Sequence, residues 1–187
     1  MKALFIHRSV GNNLITQGKL YEAFAQYSGD IALSDFNQNN HMLRSSDHQE
    51  RVNLDMPGGN TNPENYMRLF SEEASLMKDF VLQYDAVIIK SCYPNSNIKS
   101  YDDFLDMQRQ YEAIAAFFRD KPEKTCILLT TPPLRPSKTK AKSAHRALKM
   151  SEWLGSSQLA DNFHVVDFFS MLADSSGRLR RNFRRCS

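Results

Sequence analysis

The sequence lacks any long hydrophobic run. A membrane-spanning helix needs about 20 consecutive apolar residues, and no stretch of the 187 residues approaches that length. The apolar run at residues 3–6 is followed at once by His7 and Arg8, so it is too short for the hydrophobic region of a signal peptide. We interpret this run as a first β-strand and expect a cytoplasmic protein without a membrane anchor.

Cysteine is scarce, and its spacing argues against two common kinds of site. Cys92, Cys126 and Cys186 are odd in number and far apart. They show neither a disulfide framework nor the paired spacing of a zinc site. We therefore expect a reducing compartment and predict no metal or other cofactor.

The charge is close to balanced, with 24 Lys and Arg against 21 Asp and Glu, but five arginines crowd the last ten residues. Such a run could bind the phosphate groups of a nucleic acid. It contains one aromatic residue, Phe183, and no groove-reading motif. We therefore expect a solvated chain end and no nucleic-acid partner.

Five short aliphatic runs alternate with longer segments that carry apolar residues at helical spacing. Short aliphatic runs are typical of strands buried on both faces of a parallel sheet, and their alternation with helices indicates a layered α/β fold. We predict a single α/β domain over residues 1–187 with a five-stranded parallel sheet. The predicted strands lie at residues 4–6, 31–33, 86–89, 126–129 and 165–166.

Polar segments follow three of the predicted strands. In open parallel sheets, ligands bind at the carboxyl ends of the strands. Residues 7–13, 90–97 and 130–134 are therefore predicted to meet at one edge of the sheet. Residues 35–62 are rich in Asn, Asp, Ser and Gly and are long for a loop, which favours a functional role for them.

Ser9 is the candidate nucleophile. It lies between a predicted strand and a predicted helix, and Gly11 permits a tight turn of the backbone there. The unpaired amides at the start of the following helix could stabilise an oxyanion. The alternative is that Ser9 only caps the helix, and spacing alone favours that alternative.

Asn95 and Asn97 are candidate oxyanion donors. A carboxamide N–H aimed at a tetrahedral intermediate contributes about 3 kcal/mol. The alternative is turn chemistry around Pro94, for which Asn and Ser are common residues. Gly58, in the turn at residues 57–60, could offer a backbone N–H in the same way.

Four segments lie in order along the chain, at residues 5–14, 57–61, 90–98 and 128–134. In order and spacing they resemble blocks of the SGNH, or GDSL-like, hydrolase superfamily. The resemblance implies a flavodoxin-like three-layer sandwich with strand order 2-1-3-4-5 and the hydrolysis of small acyl esters, carbohydrate-linked esters among them. It implies Ser9 as nucleophile, with an oxyanion hole from the Ser9 N–H, the Gly58 N–H and the Asn97 side chain, Asn95 being the second candidate.

The sequence departs from the family pattern in two places. The Gly-Asp that normally precedes the serine is replaced by His7-Arg8, and no histidine follows His164, where the family carries its catalytic Asp and His. A serine hydroxyl is a weak nucleophile without a base. We expect the chain to end before the Asp/His block, to be impaired as an esterase, and to leave apolar surface open near the first and fifth strands. Another copy of the chain or a partner could then cover that surface.

The other histidines do not replace the missing base in this interpretation. His7 is too close in sequence to Ser9, and His41, His48, His145 and His164 are expected in surface or packing roles. A catalytically inactive module that binds a saccharide or an acyl ligand on the same fold therefore remains the alternative. A phosphate binder is disfavoured, because no glycine-rich loop with a following lysine is present.

Overall fold

The computed structural model of the protein describes residues 1–27, 30–71 and 75–183. Cys186 and the last two arginines of the basic run therefore lie outside the described residues. Short 3-10 turns occur at Pro57–Gly59, Tyr93–Ser96, Pro136–Lys138 and Arg181–Phe183. The strands are β1 (Lys2–His7), β2 (Ala32–Asn37), β3 (Met42–Arg44), β4 (Gln49–Arg51), β5 (Ala86–Lys90), β6 (Thr125–Leu129) and β7 (Phe163–Val166). The helices are α1 (Ser9–Thr16), α2 (Leu20–Tyr27), α3 (Pro63–Ser71), α4 (Leu76–Val81), α5 (Tyr101–Arg119), α6 (Ala141–Ser156) and α7 (Phe168–Leu172).

The strands form one mixed sheet in the order β4-β3-β2-β1-β5-β6-β7. The predicted α/β class is confirmed, but the five-stranded, all-parallel sheet in the order 2-1-3-4-5 is wrong in strand number and order. β2, β1, β5, β6 and β7 are parallel, whereas β3 and β4 add an antiparallel hairpin at the β2 edge. Each hairpin strand has three residues and no aliphatic run, so its sequence carries no strand signal.

Side chains of the central strands alternate between two cores, as the two-residue period of a strand requires. On one face, Leu4 and Ile6 of β1 are fully buried in a core to which α3, α5 and α6 contribute. On the other face, Ala3 and Phe5 are buried in a smaller core with residues of α1 and α2. Helices therefore lie on both faces of the sheet.

The helix signals of the sequence act as expected. Ser100 and Asp103 form a reciprocal capping box at the start of α5, with hydrogen bonds of 2.9 and 3.0 Å. Pro63 is the first residue of α3, where its missing N–H costs nothing. Gly18 lies in the break between α1 and α2. None of the described helices is both long and apolar enough to cross a bilayer.

The expectation of open apolar surface is wrong for the first strand, because Phe5 is fully buried in the core that β1 forms with α1 and α2. At the opposite edge of the sheet, Val166 of β7 is 37% exposed and His164 is exposed. Ile127 and Leu129 of β6 are only partly buried on the same face. The smaller core therefore ends before it reaches β7.

Candidate active site

Polar loops gather at the carboxyl ends of the parallel strands, as ligand-binding loops do in open α/β sheets. We call the loops after β1, β2, β5 and β6, together with the turn at residues 57–62, the rim; the segment after β7, which begins with Asp167, is not included. The rim consists of residues 7–13, 37–41, 57–62, 90–100 and 130–140.

Hydrogen bonds connect neighbouring loops of the rim. Nη1 of Arg8, directly after β1, donates to Oδ1 of Asn60 over 2.7 Å. The next residue, Thr61, accepts a hydrogen bond on its carbonyl oxygen from the backbone N–H of Cys92 over 3.1 Å. The loops after β1 and β5 therefore both contact the turn that follows residue 56, and all three form one continuous surface.

Ser9 is exposed and is the first residue of α1. Arg8 occupies the cap position in an extended conformation, and no side chain caps this helix end. The alternative in which Ser9 caps the helix is therefore wrong, because the Ser9 backbone is already helical. Its hydroxyl is available for other chemistry, and its role as nucleophile stays a prediction.

The two candidate asparagines differ in what their carboxamides do. Nδ2 of Asn95 donates to the carbonyl oxygen of Cys92 over 3.0 Å, so this amide closes its own turn. Asn97 accepts a hydrogen bond on Oδ1 from Thr139 over 3.3 Å. Among the described residues, Nδ2 of Asn97 has no hydrogen-bond acceptor. The contacts therefore favour Asn97 over Asn95 as the donor to a bound oxyanion.

Gly58 adopts a left-handed conformation with φ of +64°, and it is exposed. A Cβ atom at this position would lie 2.6 Å from Oδ1 of Asn65, so both the backbone angle and the space require glycine. The Asn65 side chain holds the turn by donating to the carbonyl oxygen of Asn60 over 3.1 Å. The Gly58 N–H donates no hydrogen bond to any of the described residues.

A buried histidine and aspartate lie beneath the Ser9 turn. His7 and Asp35 are both completely buried, and Nε2 of His7 is 2.7 Å from Oδ2 of Asp35. Nδ1 of His7 is 2.9 Å from the carbonyl oxygen of Arg8. Asp35 also accepts hydrogen bonds from Nη2 of Arg44 (2.8 Å) and the hydroxyl of Tyr21 (2.6 Å).

This arrangement favours the ionised form of Asp35. Both ring nitrogens of His7 lie within hydrogen-bond distance of oxygen atoms, one of them on the Asp35 carboxylate. Burial alone would raise the pKa of Asp35, but the hydrogen bonds from His7, Arg44 and Tyr21 outweigh it and leave that pKa below its ordinary value. With both nitrogens engaged, His7 cannot accept the Ser9 proton in this arrangement.

His7 instead supports the backbone that presents Ser9. Its ring lies directly against Gly11 in the first turn of α1, where an added Cβ would come within 2.2 Å of the His7 Cβ. Nδ1 holds the Arg8 carbonyl group. Because these contacts flank Ser9 on both sides in sequence, the position of Ser9 depends on the buried pair.

Lys90 is the last residue of β5, and its side chain is fully buried. Nζ of Lys90 donates to the carbonyl oxygen of Ser91 over 2.9 Å. Burial lowers the pKa of Lys90 to about 8, because the charged ammonium loses hydration there. Ile6 of β1 pairs with Ile89 of β5, so the next residues along these two strands, His7 and Lys90, are neighbours in the sheet.

Asp167 follows β7 and has a structural role. Its Oδ1 accepts hydrogen bonds from Oγ of Ser151 (2.5 Å), Oγ1 of Thr130 (3.2 Å) and the backbone N–H of Ser170 (3.0 Å). Partial burial alone would raise the pKa of Asp167, but these hydrogen bonds outweigh it and lower that pKa. Asp167 thereby connects β6, α6 and the start of α7.

The remaining histidines make no described contact with Ser9. Nδ1 of His41 is 3.0 Å from the carbonyl oxygen of Leu54. The other three are exposed: His48 directly before β4, His145 on α6 and His164 in β7. Among the described residues, no group of three His, Cys, Asp or Glu side chains could hold a metal ion.

Comparison with known proteins supports the fold. No protein-family model matches the sequence, and no curated protein matches it significantly. A solved structure of a putative acylhydrolase from Bacteroides fragilis superposes with a TM-score of 0.51 and 12% sequence identity. The alignment covers 97% of this chain and 74% of that chain. The chain therefore shares the α/β fold of that structure.

The fold brings together loops that the sequence also predicts to meet, and it adds residues that the sequence does not predict for the site. The sequence predicts a polar loop from Asp35 onwards, but Asp35 belongs to β2 and its side chain contacts His7. Arg44 belongs to the unpredicted β3. No sequence signal could have identified these partners, because they meet only through the pairing of β2 with β1 and β3.

Proposed function

We propose that the protein is an acyl-ester hydrolase of the SGNH type with Ser9 as nucleophile and a flavodoxin-like, three-layer arrangement. The observation that carries the proposal is the exposed Ser9 at the first helical position after β1, on the rim that it shares with Gly58 and Asn97. The hydrolase-like fold is consistent with this chemistry. Fold alone does not define an activity, so the proposal rests on the site.

In the proposed reaction, Oγ of Ser9 attacks the ester carbonyl carbon and its proton passes to a base. The resulting oxyanion accepts hydrogen bonds from the Gly58 N–H, the Ser9 N–H and Nδ2 of Asn97. The C–O bond to the alcohol then breaks, and the alcohol leaves with a proton. Water hydrolyses the acyl-serine in the same manner and releases the carboxylic acid.

The proposal assigns no general base among the described residues. The Asp/His pair that the family resemblance implies has no counterpart there, and both nitrogens of His7 are engaged. This observation favours the second candidate function, an inactive module that binds a saccharide or acyl ligand at the same rim. The two candidates differ in turnover and not in the place of binding.

The test compares hydrolysis of 4-nitrophenyl acetate by the wild-type chain, by Ser9→Ala and by Ser137→Ala. Ser137 is another exposed serine of the rim, so its variant controls for the loss of a hydroxyl. We expect slow hydrolysis by the wild-type chain, because no base is assigned to Ser9, a fall to the uncatalysed rate in Ser9→Ala, and wild-type activity in Ser137→Ala. Mass spectrometry of the trapped intermediate should place the acetyl group on Ser9.

Two results would exclude the esterase. Equal turnover by wild type and Ser9→Ala would show that Ser9 is not the nucleophile. Ligand binding at the rim without any hydrolysis by the wild-type chain would favour the inactive binding module.

A further inference from the structure

The rim contains no acidic residue. The chain has 21 Asp and Glu residues, but none falls in the five loops of the rim. Six lysines and arginines do fall there. They are Arg8, Lys90, Lys99, Arg135, Lys138 and Lys140.

These basic groups are not neutralised by nearby carboxylates. None of the six takes part in an ion pair among the described residues. The Arg8 guanidinium contacts only neutral oxygens, with Nε 2.6 Å from Oδ1 of Asn39 and Nη1 2.7 Å from Oδ1 of Asn60. The charge of Arg8 therefore remains uncompensated directly beside Ser9.

Asp55 and Asp103 adjoin the margin of the rim, where Asp55 lies 3.7 Å from His41 and Asp103 accepts hydrogen bonds from the backbone N–H groups of Lys99 and Ser100. Two further carboxylates near the rim are already engaged. Asp35 is fully buried and bonded to both His7 and Arg44. Asp167 is occupied by three hydrogen bonds from serine and threonine residues. Neither carboxylate offsets the positive charge at the surface of the rim.

The rim loops that carry the exposed cations also adjoin the proposed oxyanion hole. Thr139 donates to Asn97, which places the loop that contains Arg135, Lys138 and Lys140 against the Asn97 loop. Lys138 and Lys140 are exposed, and Arg135 is partly exposed. A ligand that contacts both Ser9 and Asn97 would therefore adjoin Arg8, the neighbour of Ser9 in sequence, and this basic loop, the neighbour of Asn97.

We infer that the ligand of the rim is anionic: an ester whose acid or alcohol part carries a fixed negative charge such as a carboxylate or a phosphate. A cleft lined with charge of one sign concentrates ligands of the opposite sign. Nη2 of Arg8 makes no hydrogen bond to the described residues, so it can donate a charge-assisted hydrogen bond to a carboxylate or phosphate. This inference rests on the proposed function for the ester, but the anion preference can be measured by binding alone.

The binding test titrates isotope-labelled protein with trigalacturonate, which carries carboxylates, and with uncharged maltotriose. Glucose 6-phosphate forms a third arm that distinguishes a phosphate from a carboxylate ligand. We expect amide shifts in the rim with at least one of the anions, a Kd at least about 10-fold below that of maltotriose, and weaker binding as salt increases.

The matched variants are Arg135→Gln at the rim and Arg109→Gln on α5. Arg109 is 70% exposed and pairs with Asp106 outside the rim, so its variant removes the same charge elsewhere. We expect Arg135→Gln to weaken anion binding several-fold, with a further loss in the double variant with Arg8→Gln. Arg109→Gln should bind like wild type.

Equal affinity for trigalacturonate, glucose 6-phosphate and maltotriose, or no binding of any of them, would overturn the inference. An equal loss in Arg109→Gln and Arg135→Gln would also overturn it, because a general charge effect would then explain the binding. Anion binding at the rim without hydrolysis of any ester would uphold this inference and refute the esterase. Hydrolysis with no preference for an anionic over a neutral ester would uphold the esterase and refute this inference.

Discussion

The buried Asp35 carboxylate offers the sharpest test of how the Ser9 turn is held. Asp35→Asn keeps the shape of the side chain but removes its charge, and it leaves His7 and Arg44 without their anion. Breaking a buried ion pair by removing one partner costs about 3–5 kcal/mol. Arg44 keeps 21% side-chain exposure and can regain some hydration, so we expect the lower end, about 3 kcal/mol. That loss is a large part of the unfolding free energy of a typical domain, which is about 5–15 kcal/mol.

The loss should depend on pH in a defined direction. The folded-state pKa of Asp35 lies below its ordinary value, which is about 3.9 in an unfolded chain. The ionised carboxylate therefore stabilises the fold fully above about pH 4, and this contribution is lost as pH falls through the folded value. The difference in unfolding free energy between wild type and Asp35→Asn should be constant from neutral pH to about pH 5 and should shrink below about pH 4.

Urea unfolding followed by circular dichroism, at several pH values, measures this difference. Asp79→Asn is the control, because Asp79 is exposed and should change stability by no more than about 0.5 kcal/mol. A loss below about 1 kcal/mol at neutral pH would refute the buried ion pair. A difference that stays unchanged down to pH 3 would refute the ionised state of Asp35.

Two further substitutions test the packing around the same turn. Gly11→Ala would place a Cβ 2.2 Å from the Cβ of His7, so we expect the free energy of unfolding in urea to fall by about 1–3 kcal/mol. Asn13→Ala in the same helix should change it by no more than about 0.5 kcal/mol. Equal losses in the two variants would contradict the close contact. Tyr66→Phe removes a buried hydroxyl that donates to the carbonyl oxygens of Ile6 and Lys90 over 3.2 and 3.3 Å. We expect it to cost about 1 kcal/mol in thermal or urea unfolding, and a variant as stable as wild type would show that these long hydrogen bonds contribute nothing.

The sequence alone was enough to predict the local elements and the class of fold. Buried aliphatic runs such as residues 86–89 form strands because they have to be covered on both faces. The Ser100–Asp103 pair and Pro63 mark helix starts because they satisfy or avoid unpaired backbone N–H groups. The placement of Ser9 between a strand and a helix follows from the same local signals.

Only the tertiary structure decided what surrounds Ser9. The hairpin of β3 and β4 has no local signal, and its place is determined by pairing with β2. Asp35 reaches His7 through the pairing of β2 with β1, across a separation of 28 residues, and Arg44 reaches Asp35 through the pairing of β3 with β2. Register and long-range charge pairing depend on groups far apart in sequence, so no local pattern records them. The Ser9 turn was therefore predictable from its neighbours, whereas the buried pair that supports it was not.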